Sequence, residues 1–131
     1  MKKKALIIED NISDQILNKA TLECLEFECI VVPDGEMAIS QIVSQKFDLI
    51  LLDLEMPNIS GIQFLMGFRS AFLNKDIPVV VVSSKEDTNS KELAEKFGAK
   101  DFIQKPLNMN NHRSLLLNAI KSHNSCEVVY D

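Results

Sequence analysis

The sequence has few cysteines and no apolar run of membrane-spanning length. Its three cysteines, Cys24, Cys29 and Cys126, are odd in number and lack paired metal spacing, which disfavours a disulfide framework and a zinc site. Cys24 and Cys29 are expected to be small core hydrophobes. No apolar stretch approaches the ~20 residues of a membrane span, and the first apolar run is too short for a secretory signal. We therefore expect a cytoplasmic protein with no membrane partner.

Positive charge is also in short supply. The formal net charge is −5, which argues against nucleic-acid binding, because backbone phosphates are captured by clustered Lys and Arg. The basic run Lys2–Lys4 lacks arginines and aromatic residues, and we interpret it as a solvated chain start before the first strand. A length of 131 residues, 46% hydrophobic and 25% charged, suits one globular domain, and we place it at residues 1–124 with a short, loosely held tail at 125–131.

Apolar periodicity alternates between short continuous runs and helical spacing, which predicts five strand–helix units and a parallel α/β sheet. The predicted strands are Ala5–Ile8, Cys29–Val32, Leu49–Leu52, Val79–Val82 and Phe102–Ile103. The apolar residues assigned to the helices are Ile16, Leu17, Ala20 and Cys24 in the first; Met37, Ala38 and Ile42 in the second; Ile62, Leu65, Met66 and Phe72 in the third; and Leu115, Leu116, Ala119 and Ile120 in the last, Met109–His123. The fourth helix is placed at about Lys91 to Phe97, before Gly98. Asn11 or Ser13 is the expected cap of the first helix and Ser60 of the third.

Residues capable of phosphate chemistry follow four of the five predicted strands. They are Glu9, Asp10, Asp53, Ser83, Ser84 and Lys105. Because the carboxyl ends of parallel strands share one edge of a sheet, these carboxylates, hydroxyls and ammonium should converge there. The sequence therefore predicts a site for a metal ion and a phosphoryl group.

From about Lys4 to about His123, the chain resembles the receiver domain of a two-component response regulator. The resemblance rests on the pair Glu9-Asp10, on Asp53 with Met56-Pro57 and Gly61 behind it, on Ser83-Ser84 after Pro78, and on Lys105-Pro106. It implies a flavodoxin-like, doubly wound sheet of five parallel strands in the order 2-1-3-4-5, with five helices. It also implies a regulator that catalyses only its own phosphorylation and slow autodephosphorylation, here expected to stand alone without an output domain.

The resemblance assigns roles to individual residues. Asp53 is the expected phosphoacceptor, and Asp10 and Asp53 are the expected direct ligands of Mg²⁺, or of Mn²⁺ in its place. Glu9 would act through water and Glu55 through its main-chain carbonyl. Lys105, the Ser83 hydroxyl and the Ser84 main-chain N–H would bind phosphoryl oxygens. Ser83 and Phe102 are the expected switch pair.

Two further residues, Glu55 and Lys85, flank the place where a hydrolytic water would approach. Our hypothesis is that their opposite charges pair across the site, obstruct this water and lengthen the lifetime of the acyl phosphate. The expected partners are a histidine kinase or phosphotransfer protein and a downstream protein that contacts the face of the fourth helix, fifth strand and last helix. A monomer or a phosphorylation-dependent dimer is expected.

Other interpretations use the same residues. A haloacid-dehalogenase-type phosphatase also has a strand-end aspartate, Mg²⁺ and a lysine, and Asp53-Leu54-Glu55 superficially resembles its Asp-x-Asp start, but no room is left for a cap domain. A flavin or nucleotide binder of the same fold would need a phosphate loop rich in hydroxyls and glycine, whereas Glu9-Asp10 would repel a phosphate. A degenerate receiver that serves only as an interaction domain is disfavoured by the intact acidic edge.

Each residue of the predicted site also has a structural interpretation when it is considered alone. Asp53 could be a turn residue, Glu9-Asp10 a helix-capping pair, Ser83-Ser84 a loop start and Lys105 a surface lysine.

Overall fold

A computed structural model of the chain describes residues 2–56, 60–71, 76–84 and 88–128. Within these ranges, strands and helices alternate along the chain. In order they are β1 (Lys3–Ile8), α1 (Ile12–Cys24), β2 (Phe27–Val32), α2 (Gly35–Ser44), β3 (Leu49–Leu52), α3 (Gly61–Ala71), β4 (Val79–Ser83), α4 (Thr88–Lys96), β5 (Asp101–Gln104) and α5 (Met109–Val128).

The strands form one parallel sheet in the order β2-β1-β3-β4-β5, which confirms the predicted fold class. The winding direction reverses at β1, since β2 lies on one side of it and β3 on the other. Ile8 is paired in register with Leu52, so the residues that follow β1 and β3 emerge side by side. In open α/β sheets such a switch point is where ligands bind, outside the carboxyl ends of the strands.

Both faces of the sheet are covered, which explains why the central strands read as continuous apolar runs. Leu6 and Ile8 of β1 pack into a core cluster with residues of α2, α3 and α4, including Ile42, Phe68 and Ala94. Ala5 and Ile7 point the other way and pack with Leu22 of α1 and with Leu116, Ala119 and Ile120 of α5. The helices packed on the two faces hold in place the sheet edge that carries the candidate site.

Turn and capping residues act largely as predicted. Asn11 caps α1 by accepting the Asp14 N–H at 3.0 Å. Ser60 Oγ accepts the Gln63 N–H at 3.2 Å, while Gln63 Oε1 accepts the Ser60 N–H at 3.0 Å, which is a reciprocal capping box at the start of α3. Gly98 has a φ of 99°, the left-handed conformation expected of a residue that ends a helix.

The predicted apolar stripe of α1 is wrong. Ile16 is 66% and Leu17 38% exposed, and Cys24 is exposed, whereas Asn18, Thr21 and Leu22 face the sheet. Apolar residues occur on both sides of this helix, so spacing alone does not fix its rotation. Burial of Thr21 is tolerated because its hydroxyl donates to the Leu17 carbonyl at 2.9 Å.

Several other details differ from the prediction. Four strands are longer than predicted (β1, β2, β4 and β5), α4 begins three residues earlier, and α5 continues through Ser125–Val128, where a loose tail was expected.

Individual side chains differ as well. Lys3 and Lys4 belong to β1, and Lys4 Nζ bonds Gln45 at 2.8 Å instead of being merely solvated. Met37 and Met66 are exposed and Cys29 is only partly buried. Phe72 lies outside the described residues. Among the described helices, none is long and apolar enough to cross a membrane.

Candidate functional site

Three carboxylates meet where β1 and β3 end. Oxygen atoms of Glu9, Asp10 and Asp53 all lie within 4.8 Å of one another. The backbone sets this arrangement, because the Asp53 N–H still donates to the Ile8 carbonyl and the Glu9 N–H to the Val32 carbonyl, each at 3.0 Å. Glu9 and Asp53 are buried, whereas Asp10 is exposed. The predicted convergence of these carboxylates is therefore observed.

Burial and crowding change the acidity of Asp53. Its pKa is raised to about 7, first by burial and then by contact with the Glu9 carboxylate. The Glu55 N–H, which donates to Asp53 Oδ1 at 3.1 Å, and the charge of Lys105 act in the opposite direction without offsetting the rise. A cation placed among these carboxylates would relieve the repulsion between them.

The two carboxylate oxygens of Glu9 differ in their hydrogen bonding. Oε2 accepts the Asn11 N–H at 3.2 Å. Oε1 is buried and accepts no hydrogen bond from the residues that the structure describes, although Lys105 Nζ lies 2.9 Å away. A buried oxygen of this kind beside two other carboxylates fits a hard divalent cation such as Mg²⁺, which prefers oxygen ligands.

Lys105 supplies positive charge on the β5 side of the cluster. Its ammonium lies 2.9 Å from Glu9 Oε1, 2.9 Å from Asp14 Oδ2 and 3.6 Å from Asp53 Oδ1. Burial alone would lower the pKa of this lysine, but the hydrogen bond to Asp14, the close contact with the Glu9 carboxylate and the charge of Asp53 raise it. Lys105 therefore stays protonated at neutral pH.

The two serines after β4 have different surroundings. Ser83 is fully buried, and its carbonyl accepts the Lys105 N–H at 2.9 Å, which ties the ends of β4 and β5 together. Ser84 is exposed, and its hydroxyl donates to Glu55 Oε1. Lys85, the predicted partner of Glu55, lies outside the described residues, so that pairing stays a prediction. Phe102 is partly buried and packs against the core cluster on the α2–α4 face.

Gly61 lies directly behind Asp53. Its N–H donates to the Leu54 carbonyl at 2.9 Å. A Cβ at this position would lie 2.6 Å from the Asp53 carbonyl oxygen and 2.5 Å from Leu54 Cα, both of which are backbone atoms. Only glycine allows the start of α3 to approach the segment that carries Asp53 this closely.

The sequence reasoning missed two residues at this site, Asp14 and Gln15. Gln15 Nε2 donates to the Glu9 carbonyl at 2.7 Å, and Asp14 contacts Lys105. A signal was present, since both residues occupy the first turn of a helix that begins immediately after Glu9-Asp10. The side chains of such a turn lie beside the strand end that precedes it.

Comparison with known proteins indicates the family to which the chain belongs. The sequence model of the response regulator receiver domain matches residues 5–117. Response regulator ArlR of Staphylococcus saprophyticus is 32% identical over 81% of this chain and 47% of its own length. The phosphate regulon regulator PhoB of Pseudomonas aeruginosa is 33% identical over 79% of the chain and 45% of its own length. The chain thus spans less than half the length of these two curated relatives.

Solved structures show the same fold. A CheY-like receiver domain protein from Methanospirillum hungatei superposes with a TM-score of 0.86 at 19% identity, over 95% of this chain and 98% of its own. The receiver domain of the sensor histidine kinase PA1611 of Pseudomonas aeruginosa, which has a magnesium ion in its active-site cleft, gives a TM-score of 0.82 at 23% identity, over 92% and 99%. The family match covers both strand ends that carry the acidic cluster and extends past Lys105, and on this basis the chain belongs to the response regulator receiver domain family.

Proposed function

We propose that Asp53 accepts a phosphoryl group from a phosphohistidine of a histidine kinase or a histidine phosphotransfer protein, in a reaction that requires Mg²⁺. The observation that supports this most strongly is the position of the Asp53 carboxylate, which is buried beside the Glu9-Asp10 pair and lies 3.6 Å from the Lys105 ammonium. A buried carboxylate that has both carboxylates and an ammonium as neighbours can bind a divalent ion and a phosphoryl group together.

The residues that would hold the ion are Glu9, Asp10, Asp53 and the main-chain carbonyl of Glu55. When bound there, Mg²⁺ or Mn²⁺ neutralises charge on the transferring phosphoryl group. Lys105 neutralises charge from the other side, and its N–H groups can bond phosphoryl oxygens. The Ser83 hydroxyl and the Ser84 main-chain N–H are the proposed further donors. Family membership and the observed distances to Lys105 support these assignments.

In the transfer, an Asp53 carboxylate oxygen attacks phosphorus in line with the bond that breaks. The new O–P bond forms as the P–N bond of the phosphohistidine breaks, and the imidazole nitrogen leaves with the electron pair and takes up a proton. Hydrolysis of the acyl phosphate by water returns the carboxylate and inorganic phosphate. The protein is thus a phosphoacceptor regulator whose chemistry acts on itself.

For the signal, we propose that Ser83 and Lys105 move toward the phosphoryl group and that Phe102 follows Ser83. The face built from α4, β5 and α5 would then change its affinity for a downstream protein, or for a second copy of the chain. The backbone bond from the Lys105 N–H to the Ser83 carbonyl supports this route, because it joins the proposed phosphoryl contacts to β5.

The direct test is intact mass after incubation with acetyl phosphate, with and without Mg²⁺. We expect a gain of one phosphoryl group that requires Mg²⁺ and is lost in Asp53→Asn. Asp48→Asn is the matched control, because Asp48 lies at the opposite end of the same strand, where it accepts the Lys4 N–H. Continuous release of phosphate without an accumulating adduct would instead indicate a phosphatase. Uptake that survives in Asp53→Asn would overturn the assignment.

A further inference from the structure

A carboxylate outside the acidic cluster holds the proposed catalytic lysine. Asp14 Oδ2 lies 2.9 Å from Lys105 Nζ and accepts its hydrogen bond, which crosses from α1 to the end of β5. Asp53 Oδ1 is farther from the same ammonium, at 3.6 Å. The lysine therefore rests nearer to Asp14 than to the residue that we propose as phosphoacceptor.

The position of Asp14 is set by the start of α1. Asn11 accepts the Asp14 N–H through its side chain at 3.0 Å and the Gln15 N–H through its carbonyl at 2.9 Å. The first turn of the helix is thereby anchored at the acidic edge of the sheet. The side chains of Asp14 and Lys105 are 28% and 16% exposed, so solvent screens their attraction less than it would screen a surface pair.

Asp14 differs in role from the carboxylates of the cluster. Glu9 also contacts Lys105 at 2.9 Å, but it belongs to the group of three carboxylates that fits a metal ion. Asp14 is not part of that group. Its charge therefore opposes the arrival of an anionic phosphoryl group on the lysine side of the site and contributes no oxygen to the cluster.

We propose, on the basis of the proposed acceptance of phosphate at Asp53, that Asp14 is a positioning residue that restrains Lys105. The ion pair keeps the ammonium on the α1 side of the site, so that contact with a phosphoryl oxygen competes with contact to Asp14. Removal of the Asp14 charge should make this contact easier to form. Asp14 thus slows phosphoryl uptake and weakens the phosphorylated state.

The test compares Asp14→Asn with the wild type at saturating Mg²⁺. Asn is nearly isosteric and can still accept a hydrogen bond, but it lacks the charge. We expect acetyl phosphate to phosphorylate the variant about twofold to fivefold faster, the range that loss of a partly exposed ion pair allows. Calorimetry should show tighter binding of beryllofluoride, an uncleavable phosphoryl mimic, by a similar factor. Asp14→Glu restores the carboxylate and should return both values toward those of the wild type.

Glu23→Gln is the matched control, because it removes the same charge from an exposed position at the other end of α1. It should leave both values within twofold of the wild type. One contrary result is an Asp14→Asn variant whose melting temperature changes while its phosphoryl uptake and beryllofluoride affinity stay those of the wild type. That result would assign Asp14 a purely structural role and overturn the inference. Slower uptake or weaker beryllofluoride binding would also overturn it. Failure of the wild type to accept phosphate at all would instead refute the proposed function, and the inference with it.

Discussion

Glu55 and Ser84 are joined across the mouth of the site, where the Ser84 hydroxyl donates a short hydrogen bond to Glu55 Oε1. The main-chain N–H of Glu55 simultaneously donates to Asp53 Oδ1 at 3.1 Å. One residue therefore touches the proposed phosphoacceptor and connects the end of β3 to the end of β4. Both side chains are exposed, so this contact is accessible to solvent.

Loss of the Glu55–Ser84 bond should shorten the lifetime of the phosphoryl group. In Ser84→Ala the Glu55 carboxylate loses the bond from the Ser84 hydroxyl and should obstruct water less, while the proposed main-chain donor at residue 84 remains. We expect phosphoryl loss to accelerate about twofold to tenfold, the range that one hydrogen bond of ~0.5–1.5 kcal/mol allows. The decay is measured by intact mass after removal of the phosphodonor.

Glu55→Ala should have a similar effect on this decay, and combination of the two changes should add little, because both remove the same contact. Ser44→Ala is the control, since Ser44 is an exposed serine whose hydroxyl donates to the Gln41 carbonyl within α2. Equal decay rates in the wild type and the Ser84→Ala variant would show that the contact does not control access of water.

Asp53→Asn should respond less to Mg²⁺ than the wild type does. The three crowded carboxylates repel one another, and a divalent cation relieves this repulsion most when all three are charged. Thermal melts with EDTA and with Mg²⁺ measure the effect as a difference in melting temperature. The shift caused by Mg²⁺ should be clearly larger in the wild type. Identical shifts in the two proteins would contradict a metal site that includes Asp53.

The stability of the metal-free protein should depend on pH through Asp53. Its pKa is about 7 in the folded protein against 3.8 for an unperturbed aspartate, so the unfolded chain releases this proton first as the pH rises. The contribution of Asp53 to stability is thus fully present below pH ~4, falls as the pH rises toward 7, and then levels off. Chemical denaturation in EDTA over a range of pH, carried out on the wild type and on Asp53→Asn, isolates the contribution of Asp53. A difference between the two proteins that does not change with pH would contradict it.

The strands and the convergence of the three carboxylates were predictable because their residues satisfy several requirements at once. Leu49–Leu52 is buried on both faces, so an unbroken apolar run was its only suitable composition, and the residue that follows had to emerge at the sheet edge. Asp53 could therefore be placed beside Glu9 from the order of the strands alone. The family resemblance supplied that order, and the register of Ile8 with Leu52 confirms it.

Rotation of α1 and the contacts of its first turn were not predictable in the same way. Ile12 and Ile16 are exposed while Asn18 is buried, because packing against β1 and β2 decides which side of the helix faces the sheet. The pairing of Asp14 with Lys105 joins residues 91 positions apart, and it depends on this rotation. Neither composition nor spacing contains that information.

Gly61→Ala should destabilise the fold and disturb the site. A Cβ would meet backbone atoms of Asp53 and Leu54 at 2.6 and 2.5 Å, and backbone cannot move aside as a flexible side chain can. We expect a loss of about 1–3 kcal/mol in the free energy of unfolding, the usual cost of overpacking, together with slower phosphoryl uptake. Urea denaturation and the acetyl phosphate assay measure the two effects.

Gly67→Ala is the matched control for this change. Gly67 lies within α3, and a Cβ there would have no atom of the described residues within 4 Å, apart from its own chain neighbours and the nearby backbone of α3. Alanine is the better helix former, so this variant should gain about 0.5–1 kcal/mol in the free energy of unfolding and leave phosphoryl uptake unchanged. If both glycine variants behaved alike, the close approach behind Asp53 would not be the reason for glycine at position 61.

Phosphorylation should change the surface formed by α4, β5 and α5. A new dianion at Asp53 attracts Lys105 and the Ser83 hydroxyl, and the bond from the Lys105 N–H to the Ser83 carbonyl couples both movements to the end of β5. Phe102, on β5, packs against the core cluster that includes Ala94 of α4, so a shift of β5 also reaches that helix.

The affinity for a partner on this face should change by about 1–3 kcal/mol, as is usual for such coupling. Amide hydrogen exchange with and without beryllofluoride is the measurement, with Asp53→Asn as the control that should show no response. Protection changes confined to α1 and α2 would place the output surface on those helices instead.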